Sequence, residues 1–151
     1  MTNEQLQQWV CEISEQSFGW PFRHQATFNT RLRSTGGRYF PRTHNIEISR
    51  KQWEMNGRDE VEKIIKHELC HYHLHLQKRG HNHRDADFKQ LLKKVGGARF
   101  CMPVAPRVKR EPKYLLKCLS CAHQYPRTRK VDVRKYVCGI CRGRLQLMQI
   151  K

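Results

Sequence analysis

Four cysteines near one end of the chain constrain its fold more than any other feature. Cys118-Leu119-Ser120-Cys121 and Cys138-Gly139-Ile140-Cys141 are two C-x-x-C pairs separated by 16 residues. Each pair puts two thiolates on one tight turn, and two such turns can close a tetrahedral sulfur shell around Zn2+. Four sulfurs leave no position for substrate, so the ion predicted here is structural. It would stand in for a core that about 40 residues cannot build alone. Tyr114-Leu115-Leu116-Lys117 and Arg144-Leu145-Gln146-Leu147-Met148 alternate around the pairs and predict a β zinc ribbon. Gly139 and Gly143 are expected to relieve crowding in the second turn. A redox C-x-x-C would stand alone beside a βαβ pattern, which is missing here. Cys11, Cys70 and Cys101 read as small buried apolar residues.

The charge is concentrated in the same region. The 151 residues carry 30 Lys plus Arg against 13 Asp plus Glu, a net charge of +17. Residues 1–106 hold 17 basic and 11 acidic side chains, whereas residues 107–151 hold 13 basic and 2 acidic. A surface like the second self-repels unless a polyanion screens it, and nucleic acid is the commonest polyanion. Arg127, Arg129, Lys130, Arg134, Lys135, Arg142 and Arg144 are the candidate phosphate contacts. Tyr125 and Tyr136 among them are either stacking surfaces for bases or core residues of the ribbon. No basic amphipathic helix suggests a membrane surface, and no apolar run approaches the roughly 18 residues of a span. The first residues, Met1-Thr2-Asn3-Glu4-Gln5, lack the basic start and apolar stretch of a secretory signal. A soluble, cytoplasmic monomer is therefore expected.

The rest of the chain predicts an α+β unit over residues 1–106, joined through Met102-Pro103-Val104-Ala105-Pro106-Arg107 to a ribbon over 107–151. Leu6, Trp9, Val10 and Ile13 recur at helical spacing and predict a helix over 4–18, ending near Gly19. Between 26 and 50 the apolar residues are separated by polar ones, which predicts about three antiparallel strands, with Gly36-Gly37 as a turn signal. A helix over Asp59–Leu76, with Asp59 and Glu62 as a capping box, and another over Asp85–Val95 complete the unit.

Six of the nine histidines lie between positions 67 and 83, around His67-Glu68-Leu69-Cys70-His71. Residues i and i+4 of a helix lie about 40° apart, so two imidazoles can reach one metal. A catalytic zinc keeps a position for water, and a carboxylate beside it can move the proton to a leaving amine. Val61, Ile64, Ile65, Leu69, Tyr72 and Leu76 define a core-facing arc, with His67 and His71 at its edge and Glu68 inside it. A carboxylate there is costly unless it is paired or faces a wet cavity, which suits a general base cut into the core. His75 makes a rival pair with His71, but position 72 offers Tyr rather than Glu. His73 points away from the arc and is expected to be solvated.

The third ligand is open on these grounds. HExxHxxGxxH is excluded, because positions 74 and 77 are Leu and Gln, and no Glu occurs between 69 and 110. His81, His83, Asp85 and Asp87 remain, with Gly80 able to turn the chain back, and either histidine serves equally.

His67-Glu-Leu-Cys-His71, Gly80, His83 and Asp87-Phe88 resemble the SprT-like (Spartan) metalloprotease family. So do Gly36-Gly37-Arg38-Tyr39-Phe40, His44-Asn45-Ile46-Glu47 and the four cysteines. The resemblance spans roughly residues 4–148 and is strongest to the short bacterial members. It implies a small zincin-like fold with His67, His71 and His83 as ligands of a catalytic zinc, His81 being the alternative third ligand, and Glu68 as acid/base. In the eukaryotic branch it implies cleavage of proteins crosslinked to DNA. The expectation is a zinc metallopeptidase tethered to DNA, single-stranded DNA included, with one catalytic and one structural Zn2+. The rival is a non-catalytic, zinc-containing nucleic-acid-binding regulator. A metal-dependent nuclease is disfavoured, because a two-metal site needs more carboxylates than Asp85 and Asp87.

Overall fold

The computed structural model describes residues 1–104 and 111–150. The chain divides into two compact units, Met1–Pro106 and Arg107–Lys151. The division and the end of the sequence-read linker lie outside the described residues.

The first unit begins with α1 (Asn3–Ile13), started by a reciprocal cap in which Thr2 and Gln5 bind each other's backbone amides. The predicted continuation to residue 18 is a wider π turn, Ser14–Phe18. It buries Ser14, whose hydroxyl donates to the Trp20 carbonyl at 2.6 Å. Three strands follow: β1 (Ala26–Asn29), β2 (Gly37–Tyr39) and β3 (Ile46–Ser49), in the order β1-β3-β2. The sheet is mixed, which corrects the antiparallel expectation: β2 is antiparallel to β3, but β1 runs parallel to it. Alternation reports which face of a strand is buried and carries no information on its direction.

Gly36 and Gly37 make no hairpin turn; Gly37 is the first residue of β2. A Cβ on Gly37 would lie 2.9 Å from Cγ and Oε1 of Glu68, and one on Gly36 would lie 2.7 Å from Ile64 Cδ1. The two glycines therefore let the strand lie directly on the next helix.

That helix, α2 (Arg50–Leu76), starts nine residues before the expected N-terminus and is broken at Gly57, whose φ of 78° and ψ of −167° leave helical space. Glu62, expected to cap, instead pairs with Lys66 at 2.8 Å. After α2, α3 (Ala86–Val95) runs to Gly96, which adopts a left-handed conformation. On one side of α2, Val61, Ile65 and Leu69 pack with Leu6, Val10, Ile46 and Ile48; on another, Cys70 and Leu74 pack with Phe88, Leu92 and Val95. Each such aliphatic side chain contributes roughly 1.5–3 kcal/mol by leaving water. Being clasped on two sides, α2 buries more than the single arc of an amphipathic surface helix. His73 is accordingly 3% exposed rather than solvated: its Nε2 donates to Ser14 Oγ at 2.7 Å, and Phe18 and Trp20 pack on its ring.

The second unit is an antiparallel sheet of β4 (Tyr114–Cys118), β5 (Gln124–Arg127) and β6 (Leu145–Gln149), in the order β5-β4-β6. Its buried residues are Leu116, Cys118, Cys138 and Leu145. No helix among the described residues is long and apolar enough to cross a membrane.

Candidate metal centres

α2 carries His67 and His71 one turn apart, and the loop after it returns to bring His83 beside them. Lys78, with φ of 55°, makes the left-handed step of that loop. Gly80 is needed for a different reason: a Cβ there would lie 2.8 Å from Asp85 Cβ. Asp87 holds the loop from α3, its carboxylate accepting from Arg79 Nη2 at 2.5 Å and from the Gly80 amide at 3.2 Å. The Nε2 atoms of His67 and His83 lie 2.9 Å apart, those of His71 and His83 3.0 Å, and those of His67 and His71 3.2 Å.

The protons on two of these rings follow from their other nitrogens. His67 Nδ1 lies 2.7 Å from the Ala98 carbonyl and His71 Nδ1 2.5 Å from the His81 carbonyl. A carbonyl only accepts, so both Nδ1 atoms donate and both Nε2 atoms present lone pairs. Lone pairs about 3 Å apart repel, and a cation bonded at roughly 2.0–2.1 Å to imidazole nitrogen removes the repulsion. Burial lowers the pKa of His67, and the Ala98 carbonyl opposes it. Burial likewise pushes His71 down to about 4, the His81 carbonyl opposing. Both rings are thus neutral near pH 7, as metal ligands must be.

The histidines left open by the sequence separate here. His81 contributes its backbone carbonyl, while its ring stacks on His75 with centroids 4.4 Å apart. His75 Nδ1 lies 2.7 Å from the Tyr39 hydroxyl, which also meets His44 Nδ1 at 2.7 Å. Neither ring joins the three nitrogens. Asp85 accepts from the Asn82 amide and Asp87 holds the loop, so neither carboxylate belongs to the cluster.

Glu68 is 6% exposed beneath β2. Burial pushes its pKa up to about 8, and the Tyr39 backbone amide acts the other way. From the sequence, Gly37 reads as part of a turn signal, and Gly37 and Tyr39 as part of the stretch that carries the family resemblance. Their part here, like that of the Ala98 and His81 carbonyls, is played by backbone, which leaves no signature in side-chain pattern.

In the second unit the four cysteine sulfurs converge, with Cys118 and Cys141 3.4 Å apart and Cys121 and Cys138 3.6 Å apart. Both C-x-x-C turns are built alike. The residue after each, Ala122 or Arg142, takes a left-handed φ of 58° or 59°, and its amide donates back to the Cys118 or Cys138 carbonyl. Gly143 provides room as expected, because a Cβ there would press on the Ser120 side chain, 2.8 Å from its Cβ, and lie 3.1 Å from Cys118 Sγ; Gly139 meets only an ordinary 3.7 Å contact with the Tyr125 hydroxyl. The Gly139 amide donates to that hydroxyl at 3.2 Å, leaving its proton for Cys138 Sγ, also at 3.2 Å. That hydroxyl is the main reason the Cys138 thiol is pushed down to about 5, and the Cys121 amide lowers Cys118. Four convergent sulfurs with amide and hydroxyl donors behind Cys118 and Cys138 suit Zn2+. Either group, three histidines or four cysteines, can hold a metal ion.

Residues 3–110 match the SprT-like family, and residues 112–149 match the SprT-like zinc ribbon domain. The chain belongs to the SprT-like family. "Protein SprT-like" of Bacillus velezensis is 51% identical over 146 residues, covering 97% of this chain and 98% of that protein. The Bacillus cereus and Bacillus anthracis proteins of the same name are each 48% identical over 149 residues, covering 99% of this chain and 98% of theirs. No solved structure matches the chain. The short SprT-like chain thus pairs an α+β unit with a C-terminal zinc ribbon.

The predicted basic residues Arg127, Arg129, Lys130, Arg134, Lys135, Arg142 and Arg144 are all exposed. Arg134 pairs with Asp132 at 3.3 Å. A cavity of about 630 Å3 is floored by Leu116 and Leu145 and rimmed by Arg127, Lys130, Lys135 and Tyr136. Tyr136 is 59% exposed, whereas Tyr125 is bound into the cysteine cluster.

Proposed function

We propose that the chain is a zinc-dependent metallopeptidase acting on proteins bound or crosslinked to DNA, with its basic ribbon as the nucleic-acid tether. One observation carries the reading: α2 buries the Glu68 carboxylate between His67 and His71 in the chain, two residues whose rings converge with that of His83, and a buried carboxylate is costly where it serves no chemistry. His67, His71 and His83 would hold the catalytic ion, and Cys118, Cys121, Cys138 and Cys141 the structural one. A zinc bound by the histidines would supply Lewis acidity, polarising a peptide carbonyl and acidifying water.

The chain's own part follows from its geometry. β2 is an edge strand of the sheet and lies over Glu68, so an extended peptide adding to that edge would pass the carboxylate. Glu68 takes a proton from the attacking water and delivers it to the leaving amine. The Tyr39 amide keeps the carboxylate aimed. On the ribbon, exposed cations supply phosphate contacts without sequence readout, and Tyr136 offers a stacking face.

Glu68→Gln tests this directly. It should retain the zinc content of the wild type and lose cleavage of a DNA-bound protein by about 10²- to 10⁴-fold. Unchanged cleavage would remove Glu68 from the mechanism. Two bound zinc ions with no turnover by the wild type would replace the peptidase by a non-catalytic regulator.

A further inference from the structure

Two buried polar side chains of α2 make no contact with the histidine cluster, and both engage one residue of the coil after α3. Gln52 is 1% exposed and Glu60 6%. Gln52 Nε2 donates to the Met102 carbonyl at 2.6 Å, and the Met102 amide donates to Glu60 Oε1 at 2.7 Å. Asn56 Nδ2 donates to Gln52 Oε1 at 2.7 Å, which turns the nitrogen of Gln52 toward the coil. The three side chains bracket the break at Gly57.

A buried carboxylate is destabilising unless paired, and among the described residues this one accepts from the Met102 amide. The Met102 side chain is 55% exposed, so the residue is held by its main chain rather than by its thioether. Residues 97–103 form neither helix nor strand, so no ladder of hydrogen bonds holds them. At the other end of this coil the Ala98 amide meets the Lys63 carbonyl at 3.4 Å, and the Ala98 carbonyl accepts from His67 Nδ1 at 2.7 Å. Cys101, between the two ends, packs against the core.

We propose that Gln52, Asn56 and Glu60 are a positioning clamp: they set the coil so that the Ala98 carbonyl fixes His67 with Nε2 free for zinc. The proposal rests on reading His67 as a zinc ligand. Groups that orient a ligand histidine typically change metal affinity 10- to 100-fold when lost. The clamp acts one step further back, through the carbonyl, so the lower figure is expected.

The test uses the full chain and zinc itself. Glu60→Ala should weaken zinc binding at the histidines about 10-fold in competition with a chromogenic chelator, leaving the four-cysteine site as an unchanged internal reference. Glu60→Gln, which keeps an acceptor oxygen, should restore most of the loss. In 15N-histidine spectra the Nδ1 proton of His67, held by the Ala98 carbonyl, should exchange slowly in the wild type and fast in Glu60→Ala. If Glu60→Ala does not fold, Gln52→Ala is read in the same way. Unchanged affinity at the histidines of a folded variant, equal weakening of both sites, or failure of Gln to rescue would each overturn the clamp. Lack of cleavage by the wild type would sink the peptidase reading and leave this comparison of affinities standing.

Discussion

At the scale of single residues, the site depends on what is missing as much as on what is present. Gly37 has no side chain where any other residue would press on Glu68 and on the Glu47 carbonyl, 3.1 Å from the position of a Cβ. Overpacking of that kind costs about 1–3 kcal/mol. Gly37→Ala should therefore lose that much stability in urea unfolding and displace Glu68, lowering cleavage while zinc content stays at the wild-type level. His73 is the opposite case, a polar ring held neutral inside the unit, its pKa pushed by burial down to about 4. Its ordinary value is 6.5. Between those values the unfolded chain binds a proton that the folded chain refuses. The stabilising contribution is therefore complete above pH 6.5 and is lost as pH falls from 6.5 through 4. The pH dependence of unfolding over this window should flatten in His73→Gln, a comparison that leaves the other histidines in place; an unchanged slope would show that His73 is not the group responsible.

At the scale of elements, α2 shows how far periodicity carries. The arc from Val61 to Tyr72 places Glu68 inside the fold, because a side chain's direction on a regular helix follows from its number alone, whereas Leu76, read into the same arc, is 45% exposed at the last turn, where no further element covers it among the described residues. The same reasoning put His73 in solvent, because a wheel does not know that α3 and the π turn cover further faces. Nor did it extend the helix back to Arg50, since a glycine with φ of 78° interrupts the pattern. Among the described residues, nothing beyond the adjoining helix backbone lies within 4 Å of where a Gly57 side chain would begin, so the cost of Gly57→Ala is one of backbone conformation. It should destabilise by about 1–3 kcal/mol, read as a lowered Tm. A larger loss would mean that the break also serves packing.

At the scale of the whole molecule, the two units have different sources of stability. Among the described residues, the first has two clusters of buried apolar residues, whereas the second has four buried residues, two of them cysteines. Chelation should therefore unfold the ribbon and leave the first unit's core intact. Amide exchange would show this as loss of protection in β4–β6 with α2 still protected; equal loss in both units would refute it. The spacing of Cys118, Cys121, Cys138 and Cys141, and of His67, Glu68 and His71, determined by itself which groups could meet a metal. Spacing within a short turn or one helical turn is local geometry, and local geometry is written in residue number. Tertiary structure decided the rest: that His83 and not His81 brings its ring to the cluster, that β1 runs parallel to β3, and that Gly37 lies on Glu68. These contacts join segments distant in the chain, so spacing along the sequence does not announce them.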